Sequence, residues 1–332
     1  MARVSVLGTG AWGTTLAQVL CDAGHEVLIW GRNESVVAEI NESRSNHTFL
    51  PGIHLPENLK ATTDIGLAFH FGESLVLAIP AQSLRENLRN WKVGFPKERP
   101  IISTLKGIEA DSMSRMTEVI IEELDTDPAY IGLITGPNLA GELSLREPAG
   151  AVAASTSASI QMLMVDLFTT PYFRVYPSDD LIGCELAGAA KSVIALAVGM
   201  TIGMNLGENT QAMIITRGLS EVARFGQSYG ANPLTFLGLA GMGDIVASCG
   251  SALSRNRQFG EAFGRIGSIE GARLEVAKTV EGVASASAIR ELAHRVGVEV
   301  PIIEVMADAV TGSITPAQAM ERLMAVSTLA EL

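Results

Sequence analysis

Lys191 stands in Leu186-Ala187-Gly188-Ala189-Ala190-Lys191-Ser192-Val193-Ile194-Ala195-Leu196-Ala197, a helical pattern apolar on nearly every side. Burying an ammonium there is costly unless it is paired, and desolvation brings an amine towards proton exchange near neutrality. A lysine so placed is a candidate proton donor and acceptor, or else a side chain snorkelling out of a core helix. Lys106 closes Ile101-Ile102-Ser103-Thr104-Leu105-Lys106, the carboxyl end of a strand, which is the side on which an open α/β sheet binds its ligands. Gly136-Pro137-Asn138 follows another strand in the same way. Downstream, Ser254-Arg255-Asn256-Arg257 offers a guanidinium fork and two hydrogen-bonding side chains to a phosphate. Asp244, after the glycine break Gly241-Met242-Gly243, could orient or charge-balance Lys191. The chain has a formal net charge of −12, so nucleic acid and a general anionic membrane surface are disfavoured partners, and a few placed cations must hold any anionic ligand.

A second constellation binds rather than reacts. Gly8-Thr9-Gly10-Ala11-Trp12-Gly13 is a G-x-G-x-x-G turn between an apolar run at 4–7 and a helical pattern carrying Leu16, Ala17 and Leu20. In that context Gly8 permits the tight turn, Gly10 lets backbone N–H groups approach a pyrophosphate, and Gly13 allows close helix–strand packing. The strand after it ends in Trp30-Gly31-Arg32-Asn33, where an NAD-selective site places an acidic residue for the ribose diol. Arg32 in that place suits the 2′-phosphate, so NADPH/NADP is favoured over NADH/NAD.

The elements that must position these groups follow from periodicity. Strand-like runs at 4–8, 26–30, 74–79, 100–104, 130–135, 149–154 and 173–176 alternate with helical patterns at 14–23, 34–42, 83–91, 112–124 and 159–168, the signature of a parallel sheet with crossover helices. Residues 46–64, with Pro51, Gly52 and Pro56, read as a long surface loop. From Asp180 onward the pattern is all-helical. The expectation is an N-terminal Rossmann-like dinucleotide-binding domain over 1–178 and an all-α domain over 179–332. Within 332 residues the apolar content is 47%, enough for two substantial cores. Cys21, Cys184 and Cys249 lie too far apart for a metal cluster and read as reduced, mostly buried thiols. The longest apolar stretch, 193–204, is short of the ~20 residues of a membrane span. With no leader pattern at its start, the chain is expected to be cytoplasmic, without a membrane span. No His-Glu metal spacing occurs, and no metal is expected.

Taken in order, these motifs resemble the bacterial NAD(P)-dependent sn-glycerol-3-phosphate dehydrogenases. The likeness runs through Gly8 to Thr14, Leu50-Pro51-Gly52, Leu105-Lys106-Gly107-Ile108-Glu109, Gly136-Pro137-Asn138-Leu139-Ala140, Gly188-Ala189-Ala190-Lys191, Thr216-Arg217-Gly218-Leu219, Gly241-Met242-Gly243-Asp244, Ser254 to Arg257, and Val280-Glu281-Gly282-Val283. It implies a helical domain of the 6-phosphogluconate dehydrogenase C-terminal type. The implied reaction is reduction of dihydroxyacetone phosphate to sn-glycerol 3-phosphate, supplying the backbone of phospholipids. Lys191 matches the proton donor and acceptor. Lys106, Gly136, Asn138, Asp244, Ser254, Arg255 and Asn256 match the substrate set, together with Lys191. Gly8, Gly10, Ala11, Trp12, Gly13, Arg32, Asn33, Lys106, Ala140, Arg255, Thr279 and Glu281 match cofactor contacts. Three positions depart from the family's usual residues: Asn138 replaces Ser, Ser192 replaces Asn, and Asn33 stands where a second basic residue often occurs. The resemblance also favours a homodimer. A related reductase of a 3-hydroxyacid or of ketopantoate would share the turn and the helical lysine but not the Ser254–Arg257 cluster. A non-catalytic NADPH-sensing protein would have no use for Lys191.

Overall fold

The computed structural model describes residues 1–276 and 280–325. Its sheet, among the described residues, has eight strands: β1 (Arg3–Leu7), β2 (Glu26–Trp30), β3 (Leu59–Thr62), β4 (Ser74–Leu77), β5 (Ile101–Ser103), β6 (Ile131–Thr135), β7 (Ala149–Ala154) and β8 (Phe173–Ser178). They lie in the order β3-β2-β1-β4-β5-β6-β7-β8. The first six are parallel and doubly wound, with the strand order reversing between β1 and β4, where such folds bind dinucleotides. Alternate residues of one strand serve two cores. Val27 and Ile29 pack with Leu16, Val19 and Ile40, whereas Leu28 and Trp30 pack with Leu84, Leu88 and Trp91. Burial on both faces is why these strands read as nearly continuous apolar runs.

Four local expectations are corrected. Residues 46–64 are not one loop: they contain β3, an edge strand in which only Leu59 and Ala61 are buried. The helix Ile65–Phe71 follows, capped by Asp64 Oδ1 accepting from Leu67 N at 3.1 Å. β7 runs antiparallel to β6, so the sheet is not wholly parallel. The helix expected from 112 starts only at Met116, after Met113 takes a left-handed φ of +63°. The first helix, by contrast, begins early, at Ala11, immediately after Gly10.

The chain divides into two compact units, one of Met1–Lys106 with Arg115–Cys184 and one of Gly107–Ser114 with Glu185–Leu332. The division differs from a cut at 178: it falls inside the helix Leu181–Gly203, because the change in composition marks where that helix starts rather than where its packing changes. That helix, at 23 residues, is also longer than the apolar stretch at 193–204 suggests. By length and composition alone it would cross a membrane, but most of it is buried inside the protein. All three cysteines are buried, and none forms a disulfide.

The helical unit owes its tightest packing to glycine. A Cβ on Gly199 would lie 2.1 Å from Arg257 O, and one on Gly203 2.1 Å from Glu261 O. Reciprocally, a Cβ on Gly260 would lie 2.1 Å from Leu196 O and one on Gly264 2.2 Å from Met200 O. Two G-x-x-x-G stripes thus interlock backbone to backbone. They bring Leu181–Gly203, which carries Lys191, against Arg255–Ile266, whose first turn carries Arg255 and Asn256.

Candidate active site

In the sheet unit the glycine turn joins β1 to the helix Ala11–Asp22. Gly8 has φ +130°, and a Cβ there would lie 2.3 Å from Ala78 O; one on Gly13 would lie 2.0 Å from Gly8 O. Both glycines are therefore required by the backbone itself. Gly10 is not. Its φ of −69° suits any residue, and a Cβ there would meet nothing within 4 Å. The open space in front of the helix N-terminus is a cradle a side chain would fill, and leaving it clear lets a pyrophosphate reach the N–H groups. Ala11 and Trp12, both half-buried, form the first turn of that helix. Thr15 Oγ1 lies 2.9 Å from Ala11 O and 3.2 Å from Ala140 O, so one hydroxyl ties the turn to the helix Ala140–Ser144.

At the end of β2, Gly31 leaves room for the Thr9 side chain, whose Oγ1 would lie 2.3 Å from a Cβ there. Arg32 follows, exposed. Asn33 has a structural duty: its Oδ1 caps the helix Glu34–Ser43, accepting from Ser35 N at 3.0 Å and Ser35 Oγ at 2.7 Å. Beyond β5, Lys106 Nζ donates to Gly136 O at 3.0 Å. Gly136 has φ +139°, which turns the chain out of β6. Asn138, with its amide nitrogen facing the two carbonyls, donates to Pro137 O at 3.1 Å and Gly150 O at 3.2 Å. Lys106, Gly136 and Asn138 thus form one cluster at the carboxyl ends of the strands, and the glycine turn after β1 lies at the same end.

In the helical unit Lys191 does not snorkel. Its side chain is 12% exposed, and Nζ lies 2.9 Å from Asp244 Oδ1, itself 2% exposed. Nζ also donates to Ser248 Oγ at 2.7 Å, and Ser248 Oγ lies 3.4 Å from the same Asp244 oxygen. Asp244 opens the helix Asp244–Gly250, directly after a π-helical turn at Leu239–Gly243. One helical turn separates Asp244 from Ser248, so both face the lysine. Ser248 carries no sequence motif; its spacing of four from Asp244 is the signal that could have found it. An ammonium has three hydrogens, and two are committed here, which leaves one for a ligand. Cys249 next to Ser248 is no competitor as a nucleophile, since burial pushes its thiol up to about 12.

Ser254 caps the helix Arg255–Ile266, its Oγ accepting from Arg257 N at 3.4 Å. Arg255 is exposed on the first turn, and Asn256 Oδ1 accepts from Gly282 N at 3.0 Å, joining this turn to the start of the helix Glu281–Arg295. Glu281, half-buried, begins that helix. Thr279 lies outside the described residues. Among the described residues, no group of histidine, cysteine and carboxylate side chains is arranged to hold a metal ion.

A doubly wound sheet with a glycine turn, and a helical unit with a buried lysine–carboxylate pair beside a basic helix N-terminus, define a dinucleotide-dependent oxidoreductase. Residues 3–161 match the NAD-dependent glycerol-3-phosphate dehydrogenase N-terminus and residues 180–321 the corresponding C-terminus. The chain belongs to that family. It is 47% identical over 305 residues to a glycerol-3-phosphate dehydrogenase [NAD(P)+] of Corynebacterium glutamicum, covering 92% of each chain. It is 44% identical to the Streptomyces coelicolor protein of the same description, covering 99% of this chain and 98% of that one. A crystal structure of glycerol-3-phosphate dehydrogenase from Coxiella burnetii superposes with a TM-score of 0.92 at 31% identity, covering 98% of this chain and 99% of the other. A ketopantoate reductase from Ralstonia eutropha, at 15% identity and a TM-score of 0.60, shares the fold alone. The activity is accordingly that of an NAD(P)-dependent glycerol-3-phosphate dehydrogenase.

Proposed function

We propose that Lys191 is the proton donor and acceptor in the interconversion of dihydroxyacetone phosphate and sn-glycerol 3-phosphate, and that NADPH is the preferred reductant. When bound, the nicotinamide supplies the hydride to C2 of the substrate or takes it back. The protein's own task is to bind, align and move one proton. As charge develops on the C2 oxygen, the uncommitted N–H of Lys191 donates to it, and Asp244 and Ser248 hold the nitrogen still while it does so. In the oxidation direction the same nitrogen, in its neutral form, takes the alcohol proton. Arg255, Ser254 and Asn256 hold the phosphate at the helix N-terminus, so that binding far from the reacting carbon fixes its position. Lys106, Gly136 and Asn138 are further substrate contacts, with Lys106 also serving the cofactor.

Gly8, Gly10, Ala11, Trp12, Gly13 and Ala140 receive the dinucleotide, with Arg255, Thr279 and Glu281 as further contacts. Arg32 accounts for the preference for the 2′-phosphate. Asn33 serves that site through the cap it gives the following helix. The product is read as the phospholipid backbone, the compartment as cytoplasmic and the working form as a homodimer. The observation that carries the reading is the arrangement around Lys191, a buried ammonium held by two partners with one hydrogen to spare. The test is consumption of NADPH by the purified protein with dihydroxyacetone phosphate, followed at the nicotinamide absorbance band. A protein shown to bind NADPH but inactive with this substrate would overturn the reading.

A further inference from the structure

We propose that Asn46, which lies outside every motif described above, is a positioning residue for the dinucleotide turn. The inference rests on the reading of Gly8–Gly13 as the dinucleotide site. Asn46 lies in the 46–50 bend, where its carbonyl accepts from Leu50 N at 2.7 Å and Phe49 N at 3.2 Å. Although the sequence reads this stretch as surface loop, its side chain is fully buried. Asn46 Nδ2 donates to Thr9 O at 3.0 Å and to Thr14 Oγ1 at 2.9 Å, bridging 32 and more residues to both ends of the turn. Thr14 Oγ1 lies 3.3 Å from the same Thr9 carbonyl.

The amide orientation is dictated by chemistry, because Thr9 O only accepts. Among the described residues Asn46 Oδ1 is left buried with no hydrogen-bond partner, so the donor half of the amide is the half that is engaged. What that half controls is a peptide plane. The C=O of Thr9 and the N–H of Gly10 belong to one trans peptide and point in opposite directions. With Thr9 O drawn towards Asn46, the Gly10 N–H is held facing away from it. Glycine at 10 gives the plane freedom to rotate, and Asn46 removes that freedom before the ligand arrives.

The part of the dinucleotide common to NADPH and NADH is its pyrophosphate, so both should depend on Asn46 equally. The experiment measures the Kd of each coenzyme by nicotinamide fluorescence, with steady-state kinetics and thermal melting, for wild type, Asn46→Ala, Asn46→Asp and Thr14→Val. Loss of two donated hydrogen bonds should raise both Kd values roughly tenfold in Asn46→Ala, with the NADPH-to-NADH ratio and kcat at saturation unchanged. Asn46→Asp is the discriminating variant. It preserves the shape but presents an acceptor to Thr9 O, so it should bind no better than Asn46→Ala; a residue that merely packs would be rescued by it. Thr14→Val, which keeps volume and leaves Thr9 O in place, should give a smaller loss, again equal for both coenzymes. It carries the test if the Asn46 variants do not fold. Wild-type affinity in Asn46→Asp or Thr14→Val, or a change in the coenzyme ratio, overturns the proposal. Failure of the wild type to bind either coenzyme would instead overturn the reading of the turn.

Discussion

Lys191 Nζ lies 2.9 Å from Asp244 Oδ1, and both side chains are withdrawn from solvent. The pair joins the middle of the apolar helix Leu181–Gly203 to the first residue after a π-helical turn. Removing either member of a buried pair leaves the other charge uncompensated, so both substitutions should destabilise the fold by about 3–5 kcal/mol and differ in what they do to turnover. Lys191→Ala should lower kcat by about 10²–10⁴-fold, the usual reach of a general acid–base group, while NADPH binding stays near normal. Asp244→Ala keeps the ammonium but removes one of the two groups that hold it, so it should lower kcat less than Lys191→Ala does. Single-turnover kinetics and denaturant melts on both variants separate the two effects. Near-wild-type turnover in Lys191→Ala removes that residue from the proton transfer.

Two glycines of the Gly8–Gly13 turn, Gly10 and Gly13, make opposite predictions. Gly10→Ala meets no atom within 4 Å and needs no unusual backbone angle, so stability should change by less than about 1 kcal/mol. The added methyl fills the cradle, and dinucleotide affinity should fall tenfold or more. Gly13→Ala puts a methyl 2.0 Å from Gly8 O and should lower the melting temperature itself. Paired melting and binding curves decide the matter; a Gly10→Ala protein with intact affinity would mean that the open space is not where the ligand goes.

Arg32 is exposed at the end of β2. A guanidinium on a phosphate contributes about 1.5–3 kcal/mol through charge-assisted hydrogen bonds, which is roughly 10–100-fold in affinity. Arg32→Ala should therefore weaken NADPH by that factor and NADH little. Equal weakening of both, measured as kcat/KM with each coenzyme, would take the 2′-phosphate away from Arg32.

These predictions draw on features that were unevenly legible in the sequence. The first strands and the glycine turn could be read because strands covered on both faces appear as unbroken apolar runs ending in glycine. β3 escaped because only Leu59 and Ala61 face the core, and an edge strand of four residues between polar neighbours carries little signal. The reversal of β7 depends on how the short helix Ala140–Ser144 returns the chain, which side-chain periodicity does not encode. Asp244 could be matched to Lys191 on charge, whereas Ser248 and Asn46 act through single hydrogen-bonding atoms whose partners lie 57 and 37 residues away in sequence. Asn33 shows the converse: it stands in a recognisable motif, yet its side chain is engaged in capping a helix.

The interlocked glycines give a prediction about register. Gly199→Ala would place a methyl 2.1 Å from Arg257 O, a backbone atom that cannot rotate away. The helices Leu181–Gly203 and Arg255–Ile266 would have to separate or slide, at a cost of about 1–3 kcal/mol or more. Because the first carries Lys191 and the second begins at Arg255, the KM for dihydroxyacetone phosphate should rise in protein that remains folded. Urea melts with steady-state kinetics test this, and an unaltered KM would mean that the phosphate group is held independently of this packing.

Glu221 sets the last expectation, on pH. It is buried in the helix Glu208–Ser228, and its two oxygens accept from Ile302 N and Ile303 N, each at 2.9 Å, at the start of the helix Pro301–Val310. Burial, the dominant cause, raises its carboxyl to about 7, against the two backbone hydrogen bonds and Arg224, which act to lower it; Glu304 adds to the rise. With a folded value above the unfolded one, the folded state binds the proton more tightly. The stability this group contributes is therefore full below about pH 4.5 and is lost as pH rises through about 7. The loss is of order 3 kcal/mol across that window. Glu221→Gln, which cannot ionise, should flatten this part of the stability profile, and chemical denaturation at intervals between pH 4.5 and 8 reads it directly. A wild-type protein whose stability rises over that window, with the variant following the same curve, would show that other groups govern its pH dependence.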